Sequence, residues 1–438
     1  MKMARKTVLL IAEAANPNWV SVPLVGWNIA MALRNEANVH IVTQVRNKDA
    51  FLDCHMKEGA DFTAIDTEAL AAPIFKLANL FRGGEGKGWT TLTAFQSLSY
   101  PYFEHLVWKM FGQRIKSGEY DLVHRVTPLS PTSPSSLAAK CKRAGVPFLL
   151  GPLNGGLPWP SGYTKERVKE KEWLSFIRNA YGLLPLVRST YRNASAIIAA
   201  STHTMAELGP YRRPTIYIPE NGIDTELFHS DLRSPAAGEP LRAVFVGRLV
   251  PYKGCDIAIE GSAELLRSGK LTLDLIGDGP EMPSLREIVR RLGLQESVTF
   301  HGWQSQTEVA NSLAAADLFI FPSVREFGGG VVLEAMASGA VPIVIDYGGP
   351  GELVDDSSGF RLKIAQRPEL VGALKALLVS VCSDKYDLRT MALAAQSRAR
   401  EMYAWEKKAA QIAQVYHWLC KPDGLPPNFK FLDVESKA

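Results

Sequence analysis

A chain of 438 residues with 46% hydrophobic and 21% charged residues is long enough for two cores, and its composition excludes disordered and fibrous classes. Its five cysteines at 54, 141, 255, 382 and 420 are widely spaced and lack a Cys-x-x-Cys pair, which argues against a disulfide framework or zinc site and fits a reducing compartment. The net charge of +4 conceals an asymmetry: residues 1–220 carry 26 basic against 17 acidic side chains, the remainder 23 against 28, so an anionic partner is expected on the N-terminal side, unless the unevenness is chance.

In chain order, the apolar run Thr7–Ala12 is too short for a signal-peptide core and is followed by Glu13, so it reads as a first buried strand. Further β-branched runs follow at Val39–Val45, Asp121–Val126, Pro147–Gly151, Ala196–Ala200 and Thr215–Ile218. A second series comprises Arg242–Gly247, Thr272–Gly277, Val298–His301, Leu318–Phe321, Val341–Ile345 and Gly359–Leu362. Helical stretches separate them, and most runs are continuously apolar, as strands covered on both faces are. The Pro-, Gly- and Ser-rich stretch Ser230–Pro240 reads as a linker. The expected organisation is therefore α/β, with two Rossmann-like doubly wound parallel-sheet domains facing a central cleft. Residues 1–222 form the first, 223–240 the linker and 241–400 the second, with 401–438 a C-terminal helix. No window approaches twenty apolar residues, so no membrane-spanning helix is expected.

Two stretches exceed a minimal domain of this kind. One holds the apolar segment Leu70–Phe81, the loop Arg82–Gly88 and aromatics up to Trp108; the other, Tyr163–Arg192, mixes Lys165, Lys169, Lys171, Arg178, Arg188 and Arg192 with Trp173, Phe176 and Tyr181. Such segments can lie on an anionic membrane, but more often they are core-facing helices with a solvated charged face, and Glu166, Glu170 and Glu172 dilute the basic signal.

The chemistry concentrates in Arg325–Gly339. Glu326 and Glu334 stand eight positions apart, with Gly328, Gly329, Gly330 and Val331 between them and a helix-forming segment after. Glycines allow close approach of a ligand to the backbone, and the free N–H groups of a helix start suit a diphosphate. Eight residues of helix span about 12 Å, roughly the reach from a nucleotide ribose to a sugar on its β-phosphate. Gly247-Arg248-Leu249-Val250-Pro251-Tyr252-Lys253-Gly254 brings two cations to the carboxyl end of a strand, where ligands gather in open α/β sheets. Gly277-Asp278-Gly279-Pro280 and His301-Gly302-Trp303 close the next two strands, and Asn221-Gly222-Ile223-Asp224 precedes the linker.

In this order and spacing, continued by Gly339, Pro342 and the Gly348–Glu352 turn, residues 215–350 resemble the retaining glycosyltransferases of family 4, which have the GT-B fold of the glycogen-phosphorylase-like superfamily. The resemblance implies transfer of a sugar, without a metal cofactor, from a nucleoside-diphosphate sugar to a hydroxyl of a glycan, lipid-linked or small-molecule acceptor, as in polysaccharide biosynthesis. It places Arg248 and Lys253 on the donor diphosphate, with the backbone of Gly328–Val331. Glu334 falls on the ribose hydroxyls, Glu326 on the transferred sugar, and His301 and Gly302 near the nucleobase, with Asp278 in the same donor site. In the first domain His124, in Asp121-Leu122-Val123-His124, looks like the family's histidine at a strand end, for the sugar or acceptor, the alternative being a buried or capped structural histidine. Asn154 and Gly155 follow the next strand and are expected to touch the donor sugar. The amphipathic Tyr403–Cys420 is expected to cross back onto the first domain. The implied location is cytoplasmic, with peripheral contact at the inner membrane face through the basic segments.

The loop Ala14–Gly26 departs from the family, since it lacks the glycine pair many relatives carry after the first strand. Alternatives on the same fold are a sugar-nucleotide epimerase or hydrolase and a catalytically silent binding protein. A dehydrogenase is disfavoured because no Gly-x-Gly-x-x-Gly follows the first strand. Nucleic-acid binding is disfavoured because the basic residues are scattered.

Overall fold

The structure is a computed structural model that describes residues 4–68, 89–164, 184–211, 213–233, 238–383 and 385–431. The segments Leu70–Phe81 and Arg82–Gly88, and residues 165–183 of the basic segment, lie outside the described residues, and for these parts so does the membrane-surface reading. Among the described residues no helix is long and apolar enough to cross a membrane. These residues form two compact units, one drawn from Met1–Gly156, Glu170–Glu220 and Trp405–Ala438, the other from Leu157–Lys169 and Asn221–Ala404.

The first unit alternates strands and helices: β1 (Thr7–Ala12), α1 (Val22–Glu36), β2 (Asn38–Gln44), α2 (Lys48–Asp53), β3 (Phe62–Ile65), α3 (Trp89–Lys116), β4 (Leu122–Thr127), α4 (Ser136–Ala144), β5 (Phe148–Leu153), α5 (Pro185–Asn193), β6 (Ala196–Ala199), α6 (Thr202–Leu208) and β7 (Thr215–Tyr217). The strands form one parallel sheet in the order β3-β2-β1-β4-β5-β6-β7. Sequence analysis missed β3, whose four residues Phe-Thr-Ala-Ile sit at an edge and bury only their first and last side chains. In α3, Tyr100, Phe103, Val107, Phe111 and Ile115 recur at three- and four-residue spacing and are all within 2% of full burial, an apolar stripe laid on the sheet. Each such side chain contributes on the order of 2 kcal/mol by leaving water.

Helix α3 also completes its neighbour. Glu104, fully buried, accepts from the Tyr100 hydroxyl at 2.9 Å, from the Ser135 hydroxyl at 2.5 Å, and from the backbone N–H groups of Ser136 at 2.6 Å and Leu137 at 3.3 Å. The last two are among the N–H groups that the first turn of α4 leaves without helical partners, and a carboxylate there also meets the positive end of the helix dipole.

The second unit repeats the plan with β8 (Leu241–Val246), α7 (Cys255–Arg267), β9 (Leu271–Ile276), α8 (Met282–Leu292), β10 (Val298–Gly302), α9 (Gln306–Ala314), β11 (Leu318–Phe321), α10 (Gly330–Ala337), β12 (Val341–Ile345), α11 (Gly349–Leu353), β13 (Phe360–Leu362), α12 (Arg367–Val381) and α13 (Leu388–Arg398). Its parallel sheet runs β10-β9-β8-β11-β12-β13. Strand order therefore reverses once in each sheet, between β1 and β4 and between β8 and β11. Loops leave the carboxyl ends of strands in opposite directions at such a point and open a crevice there.

The last helix, α14 (Trp405–Cys420), belongs to the first unit and packs on α1. Its Lys408 is 2% exposed and donates to the Pro219 carbonyl; burial draws the ammonium down to about 7, with Glu220 opposing the shift. The π-helical turn Ala399–Tyr403 before α14 stays with the second unit.

In the loop that departs from the family pattern, the chain adopts a glycine-like backbone without a glycine. Ser21, at the start of α1, has φ 69° and ψ −134°, a region side chains avoid. Further along α1, Gly26 is required by contact, since a Cβ there would lie 2.1 Å from the Ala14 carbonyl oxygen. Ser21→Gly is expected to stabilise the protein by about 1 kcal/mol, because relief of strain exceeds the added freedom of the unfolded chain. Urea denaturation of the two proteins measures it.

Candidate functional site

In the second unit, the loops following β8 and β11 flank the reversal of strand order. The first runs Gly247–Gly254. Its Pro251–Lys253 turn is tied to the second loop by a backbone hydrogen bond from Val324 N–H to the Tyr252 carbonyl at 2.9 Å. Gly254 has φ 73° and starts α7; a Cβ on it would lie 2.3 Å from the Pro322 carbonyl oxygen. A glycine is the residue that permits both the left-handed turn and the close approach.

This contact brings Lys253 to Glu326. The two side chains, 15% and 19% exposed, form an ion pair, with the ammonium also 5.0 Å from the Phe321 ring centroid. A partly desolvated pair is held by stronger attraction than a surface pair, at a cost in lost hydration. From Glu326 the chain passes through Gly328 and Gly329 into α10. Gly329 has φ 65° and no side chain caps the helix, so the N–H groups of Gly330 and Val331 are left for a ligand, while that of Val332 turns back to the Gly329 carbonyl at 2.9 Å. The turn at Gly348 and Gly349 supports this passage from behind. A Cβ on Gly348 would lie 2.3 Å from the Glu326 carbonyl oxygen, and Gly349 N–H donates to that oxygen at 3.2 Å. Glu334 lies on α10 and is partly exposed, yet burial of its carboxyl pushes it up to about 7.

Arg248 stands at the end of β8 in the same loop as Lys253. Leu249 N–H donates to the Asp278 carbonyl at 2.9 Å, which joins this loop to the end of β9. The Asp278 carboxylate accepts from Gly279 N–H at 2.7 Å and so shapes its own turn. Gly277 N–H reaches the Gly302 carbonyl at 2.7 Å, completing a row of strand ends from β10 to β11. His301 is committed sideways: its Nε2 meets the Asp274 carboxylate on β9 at 2.7 Å, leaving Gly302 and the exposed Trp303 at the strand end. Thus Arg248, Lys253, Glu326, Gly328, Gly329, Gly330, Val331 and Glu334 lie on the two loops at the strand-order reversal and the helix that follows, while Asp278, His301 and Gly302 sit one and two strands away.

In the first unit the expectation for His124 is corrected. Its ring is fully buried, Nε2 faces the Gly151 carbonyl at 2.6 Å, and Nδ1 meets the Tyr416 hydroxyl of α14 at 2.7 Å. A carbonyl only accepts, so Nε2 carries the proton and Nδ1 accepts from the tyrosine. Both nitrogens are thereby occupied, Nε2 by a carbonyl of β5 and Nδ1 by α14, and neither is open to a sugar or acceptor. Asn154 and Gly155 lie in the loop after β5, where Asn154 Nδ2 donates to Glu220 at 2.5 Å.

Sequence reasoning overlooked Arg325, which is 4% exposed beside Glu326 with its guanidinium 4.9 Å from both the Trp159 and Phe327 ring centroids. No spacing signal links residues 159 and 325. Among the described residues no three His, Cys, Asp or Glu side chains converge as metal ligands.

Burial holds the His124 imidazole down at about 4, below its unfolded value near 6.5. The folded chain therefore binds fewer protons than the unfolded chain between these values, and stability is lost as pH falls from about 6.5 towards 4. The full loss is about 3 kcal/mol. Urea denaturation at pH 7 and pH 4.5 should show this contribution in the wild type and its absence in His124→Gln.

Comparison with known proteins bears on the same region. Residues 231–391 match the model of the family described as glycosyl transferases group 1. The chain is 35% identical over 190 residues to a D-inositol 3-phosphate glycosyltransferase of Nocardia farcinica (strain IFM 10152), covering 41% of each chain. It is 30% identical over 247 residues to the alpha-D-kanosaminyltransferase of Streptomyces kanamyceticus, covering 55% of this chain and 61% of that one. The chain thus spans about half the length of these relatives. Among solved structures, Anabaena Alr3699/HepE in complex with UDP and glucose aligns over 93% of this chain and 98% of its own, with a TM-score of 0.57 and 20% identity. Sucrose-phosphate synthase (tll1590) from Thermosynechococcus elongatus aligns over 96% and 100%, with a TM-score of 0.59 and 19% identity. The chain shares the GT-B fold of these structures.

Proposed function

We propose that this chain is a retaining glycosyltransferase of the family 4 type. It moves a sugar from a nucleoside-diphosphate donor to an acceptor hydroxyl, on a glycan, a lipid-linked saccharide or a small molecule. The observation that carries this reading is the Lys253–Glu326 pair, set where the second sheet reverses its strand order and followed directly by the glycine-led start of α10.

Cleavage of a sugar–phosphate bond builds negative charge on the departing diphosphate. Arg248, Lys253 and the N–H groups at Gly330 and Val331 supply fixed positive charge and dipoles for it, and no metal is needed for that role. Arg forks onto phosphate oxygens while Lys adds a compact charge. Glu326 accepts from hydroxyls of the transferred sugar. Glu334 does the same for the ribose hydroxyls, which give a half-buried carboxyl a polar partner. Among the described residues no carboxylate is an evident nucleophile beneath the anomeric carbon, so acceptor attack proceeds on the face the diphosphate leaves. The leaving phosphate then takes the acceptor's proton, and the anomeric configuration is retained. The match to glycosyl transferases group 1 supports this reading, as do relatives named as glycosyltransferases and a fold neighbour in complex with UDP and glucose.

Thermal denaturation of the protein with UDP-, GDP- or ADP-sugars, and with NAD(H) and NADP(H) as controls, tests it without added metal. At a hundredfold over its dissociation constant, one nucleotide-sugar class should add about 2.7 kcal/mol of stability, and Lys253→Ala should remove the effect. Stabilisation by a nicotinamide cofactor alone, or by nothing, would contradict the proposal. Donor breakdown without any transfer to an acceptor would favour the hydrolase alternative.

A further inference from the structure

The two loops that carry Lys253 and Glu326 are braced by a segment remote in sequence. Leu157–Tyr163, which clusters with the second unit, is fastened along its length. The Leu157 carbonyl accepts from Arg325 Nε at 3.2 Å, and the Pro158 carbonyl from the Tyr347 hydroxyl at 2.9 Å. The Tyr163 hydroxyl donates to the Ala365 carbonyl at 2.8 Å. Gly348, which supports Glu326 from behind, has the Leu157 side chain only 2.7 Å from where its Cβ would be.

Trp159 is the centre of this strap. Its ring lies against the Arg325 guanidinium, whose carbon is 4.9 Å from the ring centroid, and meets the Tyr252 ring edge-on at 6.0 Å and 89°. One indole thereby touches both the residue before Lys253 and the residue before Glu326. Both contacts have favoured geometries: a planar guanidinium stacks on an aromatic face, and aromatic pairs prefer edge-to-face approach. Pro158 and Pro160 on either side limit the backbone freedom of the strap.

We propose that Trp159 and Arg325 are positioning residues that hold the Lys253–Glu326 pair in register, and that the strap thereby sets the affinity of this site for a nucleoside diphosphate. The inference rests on the donor-site reading above. Neither residue is assigned a contact with the ligand; each acts through the loop it steadies.

Calorimetric titration of the full chain with UDP, GDP and ADP in turn identifies the nucleotide to use. With that nucleotide, Trp159→Ala should weaken binding about tenfold, and Trp159→Phe, which keeps a ring between Arg325 and Tyr252, should recover most of it. Arg325→Lys, which keeps the charge but loses the planar stack, should weaken binding comparably with an unchanged far-ultraviolet circular dichroism spectrum. In a Glu326→Gln background, where the ion pair is already gone, Trp159→Ala should have little further effect. A loss from Trp159 that merely reflects lower stability would instead add in full to that of Glu326→Gln. Binding unaffected by Trp159→Ala, or fully additive losses, would overturn the brace and leave the donor site standing. A wild type that binds none of the three nucleotides would overturn both.

Discussion

The site in the second unit depends on one constraint, that β8 and β11 are neighbours whose chains leave in opposite directions. A lysine after one and a glutamate after the other are separated by 73 residues, yet the sheet sets their loops side by side. The backbone bond between Tyr252 and Val324 and the glycine contact at Gly254 then fix the register. A pair this enclosed loses hydration and regains it through mutual attraction only where the geometry is held. Gly348, Gly349 and the Leu157–Tyr163 strap supply that support, so much of the surrounding structure serves two side chains and the helix start beside them.

The first unit uses its buried polar groups differently. Glu104 completes α4, His124 fastens Tyr416, and Lys408 clasps the Pro219 carbonyl. Each such group is costly to bury unless paired, and here the partners lie within the unit. The last two anchor α14, which returns from a distant part of the chain to pack on α1. Chemistry and packing thus draw on the same residue types, and only the partners separate the two roles.

Most of this architecture was legible as pattern. Among the described residues, twelve of the thirteen strands announced themselves as apolar or β-branched runs; β3 did not, because its four residues show neither length nor alternation. The Glu326–Glu334 spacing and the glycines between were readable because helix periodicity and backbone freedom are local properties. His124 could not be resolved between a ligand contact and a structural role because its decisive partner, Tyr416, is 292 residues away, and a histidine at a strand end looks alike whether it faces a ligand or a hydroxyl. Arg325 and Trp159 were invisible for the same reason, and Ser21 because serine carries no sign of a glycine-like backbone.

The most direct test of the central claim is hydrogen–deuterium exchange of the full chain with and without the nucleotide that stabilises it. A donor held by Arg248, Lys253 and the start of α10 should slow exchange within Gly247–Gly254 and Arg325–Glu334 above all other described segments. Stabilisation by the nucleotide without slowed exchange in those two segments would contradict the account.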